Sequence, residues 1–173
     1  MGLAEIAAGI EVTDEQRDRG VASVDRTATS LADRLTAVAG ALPCNGTRAA
    51  ALVEAYAAGK SVGDAGRAAG IAPTTAAKTL HLCGEQVCPL TPRQRDILED
   101  WLDGRLARSE ARQLTDASER EFALATYVAT HDTVPEAREA LEGALTDADA
   151  TAEKQAVLGD SVDQPSDLVS GTH

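Results

Sequence analysis

Apolar and small side chains recur at alternating intervals of three and four residues near the N-terminus. Thr13 followed by Gln16 has the spacing of a capping box, which begins many helices, and Pro43 is a helix-ending residue. The positions that share one helical face between them are Val21, Val24, Ala28, Leu31, Leu35, Val38 and Leu42. The pattern predicts an amphipathic helix over 13–42 within an N-terminal segment, 1–43. We expect it to pack on the protein's own core, with a dimerising coiled-coil seam as the alternative.

Helical spacing continues in seven further segments, each bounded by glycine, proline or a capping residue. They are 47–58, 61–69, 74–82, 92–103, 109–114, 118–130 and 135–145. We divide them into one unit over 44–90 and a second over 91–146. The rest of the chain, 147–173, is acidic and nearly without bulky side chains, which predicts a mostly disordered tail. One or two helical turns are expected in it around Ala152–Leu158.

The composition favours helices throughout. Of the 173 residues, 43% are hydrophobic but only 2% aromatic, and the frequent Ala and Leu are the best helix formers. We therefore predict an all-α fold, a small multi-helix domain. No apolar run approaches the ~18 residues of a membrane span, and the first ten residues lack the basic start of a secretory signal. A cytoplasmic location is expected.

Charge is distributed unevenly along the chain. The formal net charge is −12, yet the segment 44–90 holds three acids and four bases and is the only one with a positive sum. Its basic residues are Arg48, Lys60, Arg67 and Lys78. We expect a binding surface in this segment, because an acidic protein otherwise avoids nucleic acid and membranes.

The overall composition resembles that of cytosolic proteins of salt-loving archaea. Acidic residues number 28, and only three of the 16 basic residues are lysine. In ~1 M salt the Debye length is ~3 Å, so mutual repulsion of carboxylates is screened. The chain is similar to uncharacterised all-helical haloarchaeal proteins. An ordinary acidic protein is the alternative.

The stretch 62–81, VGDAGRAAGIAPTTAAKTLH, resembles the helix-turn-helix of phage repressors and small prokaryotic regulators. Gly66 is the small residue needed where the two helices touch, and Gly70 lies at the turn, where a left-handed backbone is easiest for glycine. The apolar contacts between the helices are expected from Ile71, Ala76 and Leu80. The resemblance implies that 74–82 is a recognition helix and that 47–58 supports it.

In such proteins the second helix enters the major groove of duplex DNA. The resemblance implies outward-facing residues that meet bases or phosphates, namely Thr74, Thr75, Ala77, Lys78 and His81. It also implies flanking phosphate contacts from Arg67, Lys60 and Arg48. All but Ala77 are our candidate DNA-binding residues.

A weak internal repeat relates the two units. A shift of 45 residues aligns Glu54 with Glu99, Tyr56 with Trp101, and Gly59 with Gly104. In this second, degenerate copy Thr115 takes the place of the turn glycine, and Glu119 and Glu121 begin the last helix. Carboxylates there would repel phosphate, so we expect the second copy to serve packing or partner binding.

Three cysteines raise the question of a metal site. Cys83 and Cys88 flank a four-residue spacer, and Cys44 and His81 could complete a zinc set, with His131 as a substitute. Free cysteine is also a common buried small hydrophobe. Buried thiols are the favoured interpretation, so we expect no cofactor and keep zinc as the alternative.

Two functions follow as hypotheses. The chain lacks the motifs of serine hydrolases, P-loop proteins, zinc peptidases and dinucleotide-binding enzymes, so we expect no enzyme. The first hypothesis is a DNA-binding accessory or regulatory protein, homodimeric through 13–42 and bound to double-stranded DNA. The second is a helical module that binds a protein and no DNA. The first predicts an open recognition helix and the second a covered one, for example by 92–103 around Trp101.

Overall fold

The computed structural model describes residues 30–162, which form an all-α fold. The helices are α1 (Leu31–Ala37), α2 (Gly46–Ala57), α3 (Val62–Ala68), α4 (Pro73–Leu82), α5 (Pro92–Leu102), α6 (Arg108–Thr115), α7 (Glu119–Thr130) and α8 (Pro135–Val162). A short 3₁₀ helix spans Ala39–Ala41. Within these residues there is no strand, and no helix is long and apolar enough to cross a membrane.

Side-chain caps set several helix starts. Ser30, Asn45 and Ser61 each accept a hydrogen bond from a backbone N–H in the first turn of the helix that follows. Thr91 does the same for α5 as part of a capping box, and so does Ser118 for α7. Because a cap satisfies amide groups that the helix itself leaves unpaired, these starts are encoded locally.

The first unit consists of α2, α3 and α4 around one apolar cluster. Leu52, Ala65, Ala76 and Leu80 are fully buried in it. A Cβ on Gly66 would lie 2.9 Å from the Cβ of Ala76, so α3 and α4 touch at the predicted glycine. Gly70 has φ +68° in the turn between these helices.

The second unit, α5 to α7, repeats the first helix by helix. α5, α6 and α7 each begin 46 positions after α2, α3 and α4 respectively. The left-handed residue in its turn is Asp116, with φ 50°, so the prediction that Thr115 replaces the turn glycine is wrong. Gly59 and Gly104 are 45 positions apart, but the second unit has one more residue between this glycine and the next helix, so the turn residues Gly70 and Asp116 are 46 positions apart. Thr115 is buried instead and donates a hydrogen bond to the carbonyl of Ala111.

The N-terminal segment and α8 enclose the largest apolar cluster. Leu35 and Leu42 from the predicted stripe are buried there, together with Ala137, Ala140 and Leu141 of α8. Leu31 and Val38 are partly buried against the same cluster. The α-helix ends at Ala37 rather than at Leu42, since the chain tightens into the 3₁₀ turn before Pro43. The prediction of one continuous helix over 13–42 is also wrong at Ser30, which has ψ 152° and caps the start of α1. The stretch 13–29 lies outside the described residues.

The prediction of a mostly disordered tail is wrong for 147–162. α8 continues without a break to Val162, so 147–162 is helical. Its alanines favour a helix, and the packed first half of α8 removes the cost of nucleation, so that the polar second half only has to propagate. The remainder of the predicted tail, 163–173, lies outside the described residues.

Candidate nucleic-acid interface

The N-terminal half of α4 is open to solvent. Thr74 is exposed and Thr75 half-buried. Thr75 lines a shallow depression of about 280 Å³ together with the exposed Arg48 of α2. Asn45 and Ala72, the N-cap residues of α2 and α4, line the same depression. The starts of two helices therefore meet beside one arginine.

The first turn of α4 has no side-chain cap. Ala72 offers none, and Pro73 at the first helical position carries no N–H. The amides of Thr74 and Thr75 thus belong to a helix start whose partial positive charge is not met by a capping oxygen. Such a start suits an anionic oxygen.

Thr79 fixes this end of α4 from inside. Its buried hydroxyl donates to the carbonyl of Thr75 at 2.8 Å. The thiol of Cys44 lies 3.5 Å from the same hydroxyl oxygen. Since the Thr79 proton is committed to Thr75, Cys44 is the donor in that contact. This link holds α4 to the segment before α2.

Two of the predicted phosphate contacts lie elsewhere on the first unit. Arg67 pairs with Asp64 in α3, and the hydroxyl of Ser61 donates to the same carboxylate at 2.8 Å. The hydrogen bonds from Ser61 and Arg67 lower the pKa of Asp64, and the charge of Lys60 contributes in the same direction. Arg67 is thus paired with Asp64, whereas Arg48 lies at the depression.

The C-terminal half of α4 is covered by α7. The ammonium of Lys78 lies 4.6 Å from the centre of the Tyr127 ring. His81 Nε2 donates to the carbonyl of His131 at 2.7 Å, and its ring meets the edge of Tyr127 at 6.4 Å. Tyr127 in turn stacks on His131 at 3.8 Å. Lys78 and His81 are half-buried, so the four candidate groove residues do not form one open face.

Two further expectations about α4 need correction. Ala77 is buried, with 6% of its surface exposed, and does not face outward. The cover of α4 comes from α7 and not from α5, because Trp101 packs on Phe122 inside the second unit, with ring centres 5.3 Å apart.

Equivalent positions of the two units meet in this contact. Tyr127 lies 46 positions after His81, which is the offset between α7 and α4. The third helices of the two units therefore pack on each other through matching residues. The internal repeat in the sequence could have suggested that α4 and α7, as equivalent helices, pack together. It does not indicate which faces of the two helices are in contact.

Sequence reasoning also missed two polar links. Tyr56 of α2 donates to Glu85 at 2.8 Å, which ties the chain after α4 back to the first unit. This hydrogen bond contributes most to the raised pKa of Tyr56. Burial and the charge of Glu85 raise the pKa by smaller amounts. Glu119 pairs with Arg108 and Arg112 of α6, and the bond from Arg108 is the main cause of its lowered pKa.

The cysteines occupy separate environments. Cys83 is buried in the cluster of α1, α2 and α8, and burial, with smaller effects of Cys44 and Glu85, raises its pKa to about 12. It is therefore a thiol at neutral pH. Cys88 packs against the core of the second unit. Within 30–162 no group of three or more His, Cys, Asp or Glu could hold a metal ion, so the zinc candidates Cys44, His81, Cys83 and Cys88 are not brought together as a site.

Comparison with known proteins identifies a family but no activity. No curated protein and no solved structure matches the chain. A family model described as a family of unknown function, DUF7858, matches residues 1–167, which is nearly the whole chain. The chain therefore belongs to the DUF7858 family.

Proposed function

We propose that the protein binds duplex DNA through the open N-terminal half of α4 and acts as an accessory or regulatory protein in the cytoplasm. The observation that supports this is the depression where the starts of α2 and α4 meet beside Arg48. In helix-turn-helix proteins the N-terminal residues of the second helix contact base edges. Here that end of α4 carries Thr74, which is exposed, and Thr75, which lines the depression.

The proposal gives separate roles to the start of α4, to Arg48 and to Thr74. The uncapped start of α4 binds one phosphate, and Arg48 binds a neighbouring phosphate. The Thr74 hydroxyl reaches a base edge or a phosphate. Lys78 and His81 leave the contact set, because Tyr127 and His131 hold them.

Local charge at the depression differs from that of the whole protein. Its lining residues include Arg48 and no acidic side chain, although the chain carries a net charge of −12. A phosphate backbone can therefore approach this point with less repulsion than elsewhere. In molar salt the counterion-release gain of large basic patches is small, so a salt-adapted DNA-binding protein has to rely on close contacts and shape instead.

A protein-interaction module is the second candidate function. It is favoured by the packing of α4 on α7 through His81 and Tyr127. This packing covers a surface that helix-turn-helix proteins present to DNA. In this case both units are scaffold, and a protein partner binds another face. The homodimer expected from the sequence stays a prediction under either function.

Binding of fluorescent duplex DNA in molar KCl tests the first proposal. We expect Arg48→Ala to weaken binding by about 5- to 10-fold and by a similar factor for duplexes of different sequence, because the lost contact is to a phosphate. The matched control is Arg95→Ala, which removes the same charge from an exposed site on α5 and should stay within about twofold of the wild type.

Two results would overturn the DNA proposal. One is that the wild-type protein binds no duplex, whether of defined or random sequence. The other is that Arg48→Ala and Arg95→Ala weaken binding equally, which would indicate a general effect of charge and no contact at the depression.

A further inference from the structure

One face of α4 is divided between solvent and α7. Thr74, Lys78 and His81 are spaced by four and three residues along the helix, and residues at these spacings share a face. Thr74 is exposed, while Lys78 and His81 lie against Tyr127 and His131 at the end of α7. The surface that is open at the proposed DNA contact therefore continues under another helix of the same chain.

The end of α7 offers electron-rich partners to Lys78 and His81. The centre of the Tyr127 ring lies 4.6 Å from the ammonium of Lys78, and the face of such a ring attracts a cation. The carbonyl of His131 accepts the hydrogen bond from His81 Nε2 at 2.7 Å. His131 is the C-cap of α7, so this carbonyl belongs to the helix end that carries a partial negative charge. DNA offers partners of the same kind, namely phosphate oxygens and acceptors at base edges.

Contacts within α7 hold His131 in place for this interaction. The hydroxyl of Thr130 donates to the carbonyl of Thr126 at 2.8 Å, so it acts as an acceptor toward His131 Nδ1, 3.1 Å away. His131 Nδ1 therefore carries a proton, and it also lies 3.0 Å from the carbonyl oxygen of Tyr127. The ring of His131 stacks on that of Tyr127 at 3.8 Å. Tyr127 and His131 thus form a pair whose arrangement is set by α7 itself.

The contact between α4 and α7 lies outside the apolar cores of the two units. Leu80 of α4 is buried in the core of the first unit, and Phe122 of α7 is buried in the core of the second. Lys78, His81 and Tyr127 are only half-buried where they meet. The contact between these three side chains can therefore be lost while both cores stay closed.

We propose that the end of α7 is an autoinhibitory cover of α4. It binds Lys78 and His81 in place of DNA, and on its release both side chains join Thr74 in the contact with the duplex. The covered protein binds DNA through Arg48 and the first turn of α4, and the uncovered protein also uses the C-terminal half of that helix. This inference rests on the proposed DNA binding and adds the regulation of the same site.

Binding of fluorescent duplex DNA by the full-length protein in molar KCl tests the cover. Tyr127→Leu removes the ring face but keeps apolar bulk where Tyr127 packs against the cluster of α1, α2 and α8. We expect this variant to bind DNA about 3- to 10-fold more tightly than the wild type, because Lys78 gains a contact with the duplex. Tyr127→Phe is the matched control and should stay within about twofold of the wild type, since it keeps the ring face.

A double-mutant cycle shows whether the gain in affinity comes from Lys78. Lys78→Ala alone should stay within about twofold of the wild type, whereas Lys78→Ala combined with Tyr127→Leu should lose the gain that Tyr127→Leu produces. A structural role of Lys78 alone would not give this dependence of one substitution on the other. A gain that persists in the double variant would overturn the proposal, because Lys78 would then not be the residue that is released.

Chemical labelling follows the release of Lys78 without DNA. The other two lysines, Lys60 and Lys154, are exposed and serve as internal references. Acetylation with acetic anhydride is followed by mass spectrometry. Relative to the references, Lys78 should react about 2- to 5-fold faster in Tyr127→Leu than in the wild type, as expected for the loss of a partly exposed cation–π contact. Unchanged labelling of Lys78 would overturn the proposal.

These measurements distinguish failure of the cover from failure of the proposed function. If the wild type binds duplex DNA and Arg48→Ala weakens that binding, but Tyr127→Leu binds no more tightly than Tyr127→Phe, the cover is wrong and the DNA-binding function stands. If neither the wild type nor Tyr127→Leu binds any duplex, the DNA-binding function is wrong and the cover is wrong with it.

Discussion

Gly66 lies where α3 and α4 approach most closely. A methyl group there would lie 2.9 Å from the Ala76 Cβ and 3.4 Å from the Ile71 carbonyl oxygen. Both neighbours belong to the turn and the packed face of α4, so neither can move away without shifting the helix. The absence of a side chain at Gly66 allows α3 and α4 to pack this closely.

Replacement of this glycine gives a prediction at the scale of one residue. We expect Gly66→Ala to lower the free energy of unfolding by about 1–3 kcal/mol, because the added methyl overpacks the contact with Ala76. Urea unfolding followed by circular dichroism measures the change. Gly63→Ala in the same helix is the control. With nothing within 4 Å of its Cβ, it should be neutral or stabilise by up to ~1 kcal/mol. Equal effects of the two substitutions would show that the close approach does not limit the packing.

At the scale of the element, the two ends of α4 lie in different environments. Its first turn is uncapped and open beside Arg48. Its last turns pack on α7, where Lys78 lies over Tyr127 and His81 bonds to His131. A helix of this kind can contact a ligand with one end while the other fixes its orientation.

The contact between Lys78 and Tyr127 can be tested through stability. Lys78→Ala should lower the free energy of unfolding by about 0.5–1 kcal/mol, the range for a partly exposed cation–π contact, and should leave DNA affinity within about twofold. Lys154→Ala, at an exposed site on α8, is the control and should change the free energy of unfolding by less than ~0.5 kcal/mol. A large loss of DNA affinity in Lys78→Ala with unchanged stability would contradict the structural role given to Lys78. It would indicate that Lys78 contacts DNA.

Helix starts could be predicted from sequence because their determinants are local. Ser61, Thr91 and Ser118 cap helices whose starts were expected within a residue or two. The close approach at Gly66 and the left-handed Gly70 were predicted for the same reason. The cover over Lys78 and His81 could not be predicted, because Tyr127 and His131 are about 50 residues away in the chain and only tertiary packing brings them there. The length of α8 was missed because composition alone does not show that a polar helix continues from a packed one.

At the scale of the molecule, the excess of carboxylates opposes compaction. The net charge is −12, and several ion pairs within 30–162 are exposed, such as Arg105 with Asp100 and Arg138 with Glu142. Exposed pairs of this kind contribute little to stability. Net repulsion therefore acts over the whole surface, and only screening by salt reduces it.

Salt should therefore stabilise the fold. We expect the unfolding midpoint Tm to rise by at least ~5 °C between about 0.1 M and 2 M KCl, since repulsion among like charges is screened over a few ångströms at high salt. The triple variant Glu99→Gln, Glu139→Gln, Glu153→Gln makes the protein less negative, with a net charge of −9, and should show a smaller rise in Tm. The double variant Arg95→Gln, Arg120→Gln makes the protein more negative, with a net charge of −14, and should show a larger rise in Tm. If the two variants respond to KCl as the wild type does, net charge does not control stability, and the salt-adapted interpretation of the composition is wrong.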